Sequence, residues 1–591
     1  MNNEGDASAP VIRFKNYSFR YRTQADPTLI NINLTVNKGE KILILGPSGS
    51  GKSTLVHCLN GLIPNSFTGE KQGELFFYGK EISGMGIFDI SKTAGTVLQD
   101  TDGQFVGLSA AEDIAFAQEN DCIPADEMHR KVYETAMLVD MSAHLSKSPQ
   151  DLSGGQKQRI SVAGVLVSNV DILLFDEPLA NLDPAAGKET IELIDELQKK
   201  TGKTILIIEH RLEDVLHRHI DRIIIVDNGR IIADNTSDNI LSSDILAETG
   251  IREPLYISAL KYAGLAIGAE INPRHIDSLT CDFKPLIEWN RHLKDINFDC
   301  VTRNEDTAKS GGISANGIEA RNISFRYSEQ GEEALKNVSF HVANGECVAL
   351  VGRNGSGKST LAKCICGFEK PDHGSILYNG QDLKDLSIMQ RAEKIGYVMQ
   401  NPNQMISFPM IFDETAFGLK CRGFSENEIK ERVYEVLKVC GLYPFRNWPV
   451  NALSFGQKKR LTVASILVLR PSFMILDEPT AGQDYRRYTE FMEFLLKLSL
   501  DLGVSLLLIT HDMHLMLEYT TRAVVLCGGE CIADKKPFEI LTDDKIINKA
   551  SLKRTSLYEL ALKAGLDDPQ MFVDRFIKYD REIRAVKRTN D

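Results

Sequence analysis

Gly46-Pro-Ser-Gly-Ser-Gly-Lys-Ser-Thr54 decides the fold, because it recurs 306 residues later as Gly352-Arg-Asn-Gly-Ser-Gly-Lys-Ser-Thr360. The pattern Gly-x-x-x-x-Gly-Lys-Ser/Thr after a strand is a phosphate-binding loop. Its glycines let successive backbone N–H groups turn toward phosphate oxygens at the N-terminus of a helix. Two copies, each directly after an apolar run, predict two tandem α/β domains of the P-loop NTPase type.

The repeat extends well beyond these loops, so the two halves of the 591-residue chain share one plan. Four further pairs recur at an offset of 301, namely Gln99 with Gln400, Ser153 with Ser454, Asp176 with Asp477, and His210 with His511. Leu255–Lys261 resembles Leu557–Lys563, which predicts a small helical appendix after each half. The predicted boundaries are 10–245 for the first nucleotide-binding domain, 246–316 for an appendix and flexible linker, 317–545 for the second domain, and 546–591 for the C-terminal appendix.

Short runs of Ile, Val and Leu predict the strands of each half, since buried parallel strands have this composition. They are Lys41–Leu45, Ile172–Phe175, Thr204–Ile208, Val348–Val351, Phe473–Leu476 and Ser505–Ile509. Asn228-Gly229 and Gly528-Gly529 predict hairpin turns between late strands.

The bulk composition indicates a cytosolic protein. The chain has no apolar run near the ~18 residues that span a bilayer and no secretory signal at its start. Its 11 cysteines lack a framework spacing, which favours a reducing compartment over a disulfide scaffold. The net charge of −13 argues against nucleic-acid binding, which usually needs a basic surface.

Acidic pairs and histidines stand at the ends of the predicted strands. Asp176 and Asp477 are placed to hold hydrated Mg²⁺, and Glu177 and Glu478, which follow them, to polarise an attacking water. His210 and His511 are placed to touch a γ-phosphate. The alternatives are a solvated strand end for the acidic pairs and a structural role for the histidines. Their repetition at one offset favours the functional interpretation.

A second glycine-rich motif lies about a hundred residues beyond each loop. Leu152-Ser-Gly-Gly-Gln-Lys-Gln-Arg159 and Leu453-Ser-Phe-Gly-Gln-Lys-Lys-Arg460 place serine and glycine ahead of a predicted helix, which forms another anion site. All these motifs together, in this order, resemble the ATP-binding-cassette (ABC) ATPases over about four fifths of the chain. The Asn181-Leu-Asp183 turn also matches that family.

This resemblance implies ATP and Mg²⁺ as ligands and assigns residues to them. The ATP-binding loops comprise Gly46, Pro47, Ser48, Gly49, Ser50, Gly51, Lys52, Ser53 and Thr54, and Gly352, Arg353, Asn354, Gly355, Ser356, Gly357, Lys358, Ser359 and Thr360. The signature residues are Ser153, Gly154, Gly155 and Gln156, and Ser454, Gly456 and Gln457. The Mg²⁺ set is Ser53, Gln99 and Asp176, and Ser359, Gln400 and Asp477. Tyr21 and Tyr327 match the aromatic residue that stacks on adenine, although either could instead be a half-buried strand residue.

In that family the signature of one cassette closes on ATP held by the other, so the resemblance implies two composite sites. The first would combine Lys52, Glu177 and His210 with Ser454 and Gly456. The second would combine Lys358, Glu478 and His511 with Ser153 and Gly155. Two residues depart from the pattern: Phe455 replaces the first signature glycine, and Gln483 replaces the leucine before Asp484. Phe455 is expected to change affinity or rate at the site of Lys52, but both sites are predicted to hydrolyse ATP.

A narrower resemblance is to the ATPase subunits of energy-coupling-factor (ECF) importers for vitamins and metal ions. It rests on Leu59-Asn-Gly-Leu-Ile-Pro64, Glu209-His-Arg-Leu212, Gln400-Asn-Pro-x-Gln404 and the second signature. It implies a motor on the cytoplasmic face of the cell membrane, a membrane coupling subunit, a substrate-binding membrane subunit, and uptake of a thiamine precursor or cobalt.

Two other functions fit a tandem cassette. One is a soluble ATPase acting on ribosomes or nucleic acid, but the proline-containing connector does not suit the long charged helix of such proteins. The other is a sugar-importer ATPase, although residues 352–360 keep the loop pattern that its second cassette loses. The appendices could regulate, dimerise or cover a cassette edge.

Overall fold

The computed structural model describes residues 10–82, 84–98, 102–180, 182–296, 316–329 and 331–590, with side chains to residue 584. The chain divides into two compact units. The first comprises the residues up to Asp282 together with Asp484–Arg486, and the second comprises the remainder. The division falls inside the segment 246–316, which was expected to form one appendix and linker.

The first unit is built on two sheets. Its strands are β1 Ile12–Tyr21, β2 Leu29–Val36, β3 Lys41–Leu45, β4 Gly69–Phe77, β5 Lys80–Glu81, β6 Ala94–Val97, β7 Ile172–Asp176, β8 Thr204–Ile208, β9 Arg222–Asp227 and β10 Arg230–Asn235. An antiparallel sheet has the order β2-β1-β4-β5, and a larger sheet has the order β10-β9-β3-β8-β7-β6. The larger sheet is parallel except for β10, which pairs with β9 in an antiparallel hairpin.

The second unit repeats this topology. Its strands are β11 Gly317–Arg326, β12 Glu333–Ala343, β13 Cys347–Val351, β14 His373–Tyr378, β15 Gln381–Asp382, β16 Ile395–Val398, β17 Phe473–Asp477, β18 Ser505–Ile509, β19 Arg522–Cys527 and β20 Glu530–Lys535. The two sheets have the orders β12-β11-β14-β15 and β16-β17-β18-β13-β19-β20. The predicted doubled α/β fold and both hairpins are therefore confirmed.

Helices surround the sheets and connect their strands. Those before Asp282 are Lys52–Leu59, Leu62–Asn65, Ile87–Ser91, Ala110–Asn120, Ala125–Leu138, Gly154–Leu166, Pro184–Thr201, Leu212–Val215, Ser237–Leu241, Ile245–Glu248 and Leu255–Tyr262. Those after it are Lys284–Asp295, Lys358–Cys366, Ile388–Arg391, Pro402–Met405, Ile411–Cys421, Glu426–Val439, Phe455–Leu467, Tyr485–Leu502, Met513–Tyr519, Pro537–Ile540, Asp544–Ala550, Ser556–Lys563 and Pro569–Asn590.

The core of each unit joins its two sheets to the helix that follows the phosphate loop. All five residues of β3 and of β13 are buried, because each strand lies between two neighbours in the middle of its sheet. Because every residue of such a strand is covered on both faces, a ligand can reach the strand only at its carboxyl end. Both phosphate loops start at that end.

The helix Lys284–Asp295 belongs to the second unit, although it precedes the second cassette in sequence. Trp289 contacts the rings of Phe572, Phe576 and Tyr579 on the C-terminal helix, with ring centroids 5.3–6.4 Å apart. Arg575 also donates a hydrogen bond to Asn290 Oδ1 at 3.2 Å. Phe572 and Phe576 are fully buried, so this contact supplies a hydrophobic core for the C-terminal helix.

None of the described helices is both long enough and apolar enough to cross a membrane.

Candidate functional site

Each phosphate loop leaves a fully buried strand and enters a helix at its lysine. The residue before the lysine, Gly51 or Gly357, has φ near +100°, a left-handed conformation that favours glycine. Gly46 also needs to be glycine, since a Cβ there would lie 2.1 Å from the Val226 carbonyl oxygen. The sequence pattern is thus explained by backbone geometry in both units.

The loop lysines are buried and point back over their loops. Lys52 Nζ donates to Gly46 O at 2.7 Å and to Pro47 O at 2.9 Å. Lys358 Nζ makes the same pair of bonds, to Gly352 O at 2.8 Å and Arg353 O at 3.0 Å. The two loops therefore hold an ammonium group at the same place.

The loops fit a phosphate ligand by their unused polar groups as well as by their backbone. The hydroxyl oxygens of Ser50 and Ser356 are buried and have no hydrogen-bond partner within the described part of the chain. An orphaned hydroxyl inside a glycine-rich loop is costly unless a ligand satisfies it. Bound phosphate oxygens would do so in both units.

The predicted carboxylates and histidines meet beside the lysines. His210 Nε2 lies 3.1 Å from Glu177 Oε1, and His511 Nδ1 lies 2.7 Å from Glu478 Oε1. Both glutamates have positive φ, 48° and 45°, which is strained for a residue with a side chain. Such strain persists where the surroundings fix it, and it clusters at functional sites.

Burial sets the ionisation of these carboxyl groups. Burial, followed by the charge of Glu177, raises the pKa of Asp176 to about 6. Burial also opposes ionisation of Glu177, but the hydrogen bond and charge of His210 outweigh it and lower the pKa of this carboxyl. Glu177 therefore stays ionised to a lower pH than Asp176, and its carboxylate is suited to polarise a water molecule.

In the second unit Asp477 and Ser359 fit a shared cation. Ser359 Oγ donates to Asp477 Oδ2 at 3.2 Å, and Tyr397 Oη donates to the same oxygen at 2.9 Å. Burial raises the pKa of Asp477, while these two bonds act in the opposite direction. A hydroxyl and a carboxylate oxygen within hydrogen-bond distance are the protein ligands that Mg²⁺ takes beside nucleotide phosphates.

Among the described residues, no group of three or more His, Cys, Asp or Glu side chains could hold a metal by itself. A Mg²⁺ ion here would therefore need oxygen ligands from the nucleotide. Gln99 lies outside the described residues, as does Asn181, so only Gln400 of the predicted glutamine pair has a described position, and it is exposed.

The signature serines cap their helices. Ser153 Oγ accepts from Gln156 N, and the Gln156 side chain accepts from Ser153 N. Ser454 and Gln457 form the same reciprocal pair at the start of Phe455–Leu467. This capping box makes the signature residues a rigid first turn.

The tyrosines that match the adenine-stacking position are attached to the phosphate-loop helices. Tyr21 Oη lies 3.1 Å from Thr54 Oγ1, and Tyr327 Oη lies 3.0 Å from Thr360 Oγ1. The Tyr327 ring is 59% exposed, whereas Tyr21 is partly buried. Tyr21 is the last residue of β1, so both stacking on a base and a place in the strand are compatible with its position, whereas Tyr327 follows the end of β11 and is not a strand residue.

Sequence reasoning gave no role in the site to the residues that precede the histidines, although Glu209 lies in one of the motifs that resemble ECF importers. Glu209 is 2% exposed, and its Oε1 accepts the His210 N–H at 2.9 Å while its Oε2 accepts the Leu179 N–H at 3.1 Å. In the second unit Thr510 takes this place and donates to Glu478 Oε2 at 3.3 Å. The offset of 301 pairs the two positions, so the repeat itself was the signal that could have found them.

Comparison with known proteins identifies the family. An ABC transporter family model matches residues 29–180 and 335–481, and a second model, described as an ATP-binding cassette cobalt transporter, matches residues 243–298. A putative ABC transporter ATP-binding protein of Clostridium perfringens is 56% identical over 97% of this chain and 99% of its own length. One from Enterococcus faecalis is 54% identical over 97% of this chain and 99% of its own length.

A solved structure, cbiO1 from Clostridium perfringens, described as part of the ABC transporter complex cbiONQ, is 34% identical with a TM-score of 0.37. It covers 40% of this chain and 94% of its own. The family models cover both cassettes, and the relatives extend over nearly the whole chain. The chain therefore belongs to the ATP-binding proteins of ABC transporters, which are ATPases coupled to transport and act with membrane partners.

Proposed function

We propose that this chain is the double ATPase motor of an ECF-type importer and that both cassettes hydrolyse ATP. The observation that carries the hydrolytic part is the hydrogen bond between a strained glutamate and a histidine, repeated beside each loop lysine. The match of residues 243–298 to a cobalt transporter model supports the transport role over the ribosome or nucleic-acid alternative.

We assign the roles within each cassette from the geometry above. Lys52 and Lys358 bind the β- and γ-phosphates. The carboxylates of Glu177 and Glu478 accept the proton of the attacking water. The histidines orient those carboxylates through the bonds of 3.1 and 2.7 Å. Ser53, Gln99 and Asp176 in the first cassette, and Ser359, Gln400 and Asp477 in the second, would hold Mg²⁺, which would neutralise charge on the phosphate oxygens.

We further propose that the cassettes pair within the chain, so that the signature serine of each half completes the other's site. The partners are a membrane coupling subunit and a substrate-binding membrane subunit, with the chain on the cytoplasmic face of the cell membrane. The transported substrate is a small vitamin, such as a thiamine precursor, or cobalt. The ranges 10–245 and 317–545 are proposed as the cassettes, with the segments 246–316 and 546–591 as their appendices.

The hydrolytic proposal is tested by replacing each glutamate with its neutral isostere. Removal of a positioned base costs roughly 10²–10⁴-fold in rate, so the Glu177→Gln, Glu478→Gln double variant should lose hydrolysis. It should still bind ATP with Mg²⁺, because the loops are intact. Wild-type turnover in the double variant would refute both assignments. If only one of the two single variants kept its ATPase activity, only the glutamate left intact in that variant would be working.

The transport proposal needs a separate measurement. Cells carrying the wild-type chain should take up labelled cobalt or a labelled thiamine precursor, and cells carrying the double variant should not. The double variant is a matched control because it differs by two neutral replacements and keeps both ATP-binding loops. Uptake of neither compound by wild-type cells would refute the substrate class while leaving the ATPase assignment intact.

A further inference from the structure

The signature helix of the second cassette carries a buried lysine where the first carries a glutamine. Lys459 is 4% exposed and lies on the second turn of the helix Phe455–Leu467. Its Nζ donates to Pro479 O at 2.8 Å and to Ala481 O at 3.1 Å. These carbonyls belong to the loop that directly follows Glu478, so the side chain links the signature helix to that loop.

The loop held by Lys459 begins at a strained residue. Glu478 has φ of 45°, and its N–H is bonded to Ile509 O at 2.9 Å. A strained backbone keeps its conformation only where neighbouring contacts fix it on both sides. Ile509 fixes the strand side, and Lys459 fixes the loop side at the carbonyls one and three residues after Glu478. Burial lowers the pKa of Lys459 to about 7, while the nearby charge of Glu478 favours the ammonium form.

In the first cassette the neutral side chain of Gln158 contacts the equivalent loop, which follows Glu177. Gln158 Nε2 donates to Pro178 O at 2.7 Å, and Gln158 Oε1 accepts from Thr190 Oγ1 at 3.2 Å. At the offset of 301 Thr190 corresponds to Phe491, a buried side chain without a donor. A lysine has no acceptor to satisfy, so the exchange of Gln and Thr for Lys and Phe is self-consistent. It keeps the bond to the proline carbonyl and adds a second bond and a charge.

The unusual signature residue Phe455 takes part in this arrangement. Lys459 Nζ lies 5.3 Å from the centroid of the Phe455 ring, four residues earlier on the same face of the helix. An ammonium group at this distance is attracted to the ring face. The counterpart of Phe455 in the first cassette is Gly154, which has no side chain. Phe455, the residue that departs from the signature pattern, therefore contacts Lys459 within its own unit, beside the loop that follows Glu478.

We propose that Lys459 is a positioning residue for hydrolysis in the second cassette, coupling the signature helix to the carboxylate of Glu478 through the Pro479 and Ala481 carbonyls, with Phe455 covering the ammonium group. This inference rests on the proposed hydrolytic role of Glu478. The family resemblance placed the effect of Phe455 on affinity or rate at the site that contains Lys52. Under this inference, Phe455 acts on hydrolysis at the site that contains Glu478. The two ATP sites then differ in how firmly the catalytic loop is tied to its signature helix.

The test uses the full chain with Glu177→Gln, so that turnover depends on Glu478. Lys459→Met keeps the length of the side chain but removes its donor, and Lys459→Gln installs the donor of the first cassette. We expect kcat to fall at least tenfold in Lys459→Met and two- to fivefold in Lys459→Gln. The KM for ATP should stay within twofold in both. Gln158→Met in a Glu478→Gln chain is the matched change in the first cassette and should also lower kcat.

Several outcomes would overturn the inference. They are an unchanged kcat in Lys459→Met, equal losses in Met and Gln variants, or a raised KM with unchanged kcat. Thermal unfolding of each variant controls for loss of the fold. If Lys459→Met does not fold, Lys459→Gln decides alone, since an unchanged kcat there contradicts the positioning role.

The same measurements separate this inference from the proposed function. An inactive Glu177→Gln parent beside an active wild-type chain would contradict independent hydrolysis by Glu478, which belongs to the proposed function. The Lys459 variants are then compared in the wild-type chain, where the same order of kcat is required. Loss of that order in an active parent refutes only the role of Lys459.

Discussion

In the two cassettes, different ring nitrogens of the equivalent histidines contact the glutamate proposed as the base, and amide substitutions that match one nitrogen or the other can tell them apart. His210 uses Nε2 at 3.1 Å, whereas His511 uses Nδ1 at 2.7 Å. A glutamine places its amide nitrogen near the Nε2 position of histidine, and an asparagine places it near Nδ1. His210→Gln should therefore retain more activity than His210→Asn, and the order should reverse at His511.

The size of the effect follows from the bond that is lost. A hydrogen bond to an ionised group contributes about 1.5–3 kcal/mol, and each ~1.4 kcal/mol changes a rate tenfold. The non-matching amide should therefore lower kcat by roughly 10- to 150-fold. His511 is 6% exposed and its contact is the shorter, so its loss should lie toward the upper end. His210 is 16% exposed, and water can replace part of its contact.

Steady-state ATP hydrolysis measures this preference when only one glutamate is active. The His210 variants are made with Glu478→Gln, and the His511 variants with Glu177→Gln. The histidine variants should lower kcat more than they weaken ATP binding, because the phosphate loops are untouched. The same amide preference in both cassettes would refute the assignment of ring nitrogens, and full activity in all four variants would refute the orienting role of the histidines.

Three further predictions concern ionisation and stability. Burial raises the pKa of Asp176 to about 6, so only about a quarter of this carboxyl is ionised at pH 5.5. The Mg²⁺ concentration that half-saturates nucleotide binding should therefore be about fourfold higher at pH 5.5 than at pH 7.5, after correction for the protonation of free ATP. An unchanged value would contradict this carboxylate as a Mg²⁺ ligand. Asp195→Ala removes the buried ion-pair partner of Lys41, which is 2% exposed, and should lower the free energy of unfolding by about 3 kcal/mol in urea titrations; a loss below about 1 kcal/mol would contradict the pair's contribution. Arg584→Met removes the bonds of 3.2 Å to the buried Glu518 and should speed limited proteolysis of the C-terminal helix, whereas unchanged cleavage would show that these bonds are not needed to hold that helix.

The sequence predicted the parts of the site that depend on local backbone geometry. A glycine is required where φ is positive or where a Cβ would strike a carbonyl, so the loop at Gly46–Thr54 is recognisable without any distant contact. The apolar runs ending at Asp176 and Asp477 likewise predicted central strands, because strands buried on both faces need continuous apolar residues. The repeat then transferred each assignment to the other half.

Contacts between distant segments could not be predicted in this way. The motif contains Lys459 as one of several polar residues after the signature, and only the folded chain shows its ammonium group on the Pro479 carbonyl. The same holds for Glu209, whose carboxylate supports the backbone at Leu179 and His210. Burial and partners of such groups depend on which segments pack together, and a single sequence does not specify that.

The assignment of helices to units shows the same limit. The repeat predicted a helical C-terminal appendix, and the structure has a helix there from Pro569 to Asn590. The sequence order suggested that residues before 316 would accompany the first cassette, yet Trp289 lies against this C-terminal helix in the second unit. The sequence by itself determined two P-loop cassettes with an acidic pair and a histidine at the strand ends of each, since those follow from local conformation and spacing. Only the tertiary structure decided which side chains contact Glu177 and Glu478 and where the helix Lys284–Asp295 packs, because apolar surface is buried against the face that is nearest in space rather than along the chain.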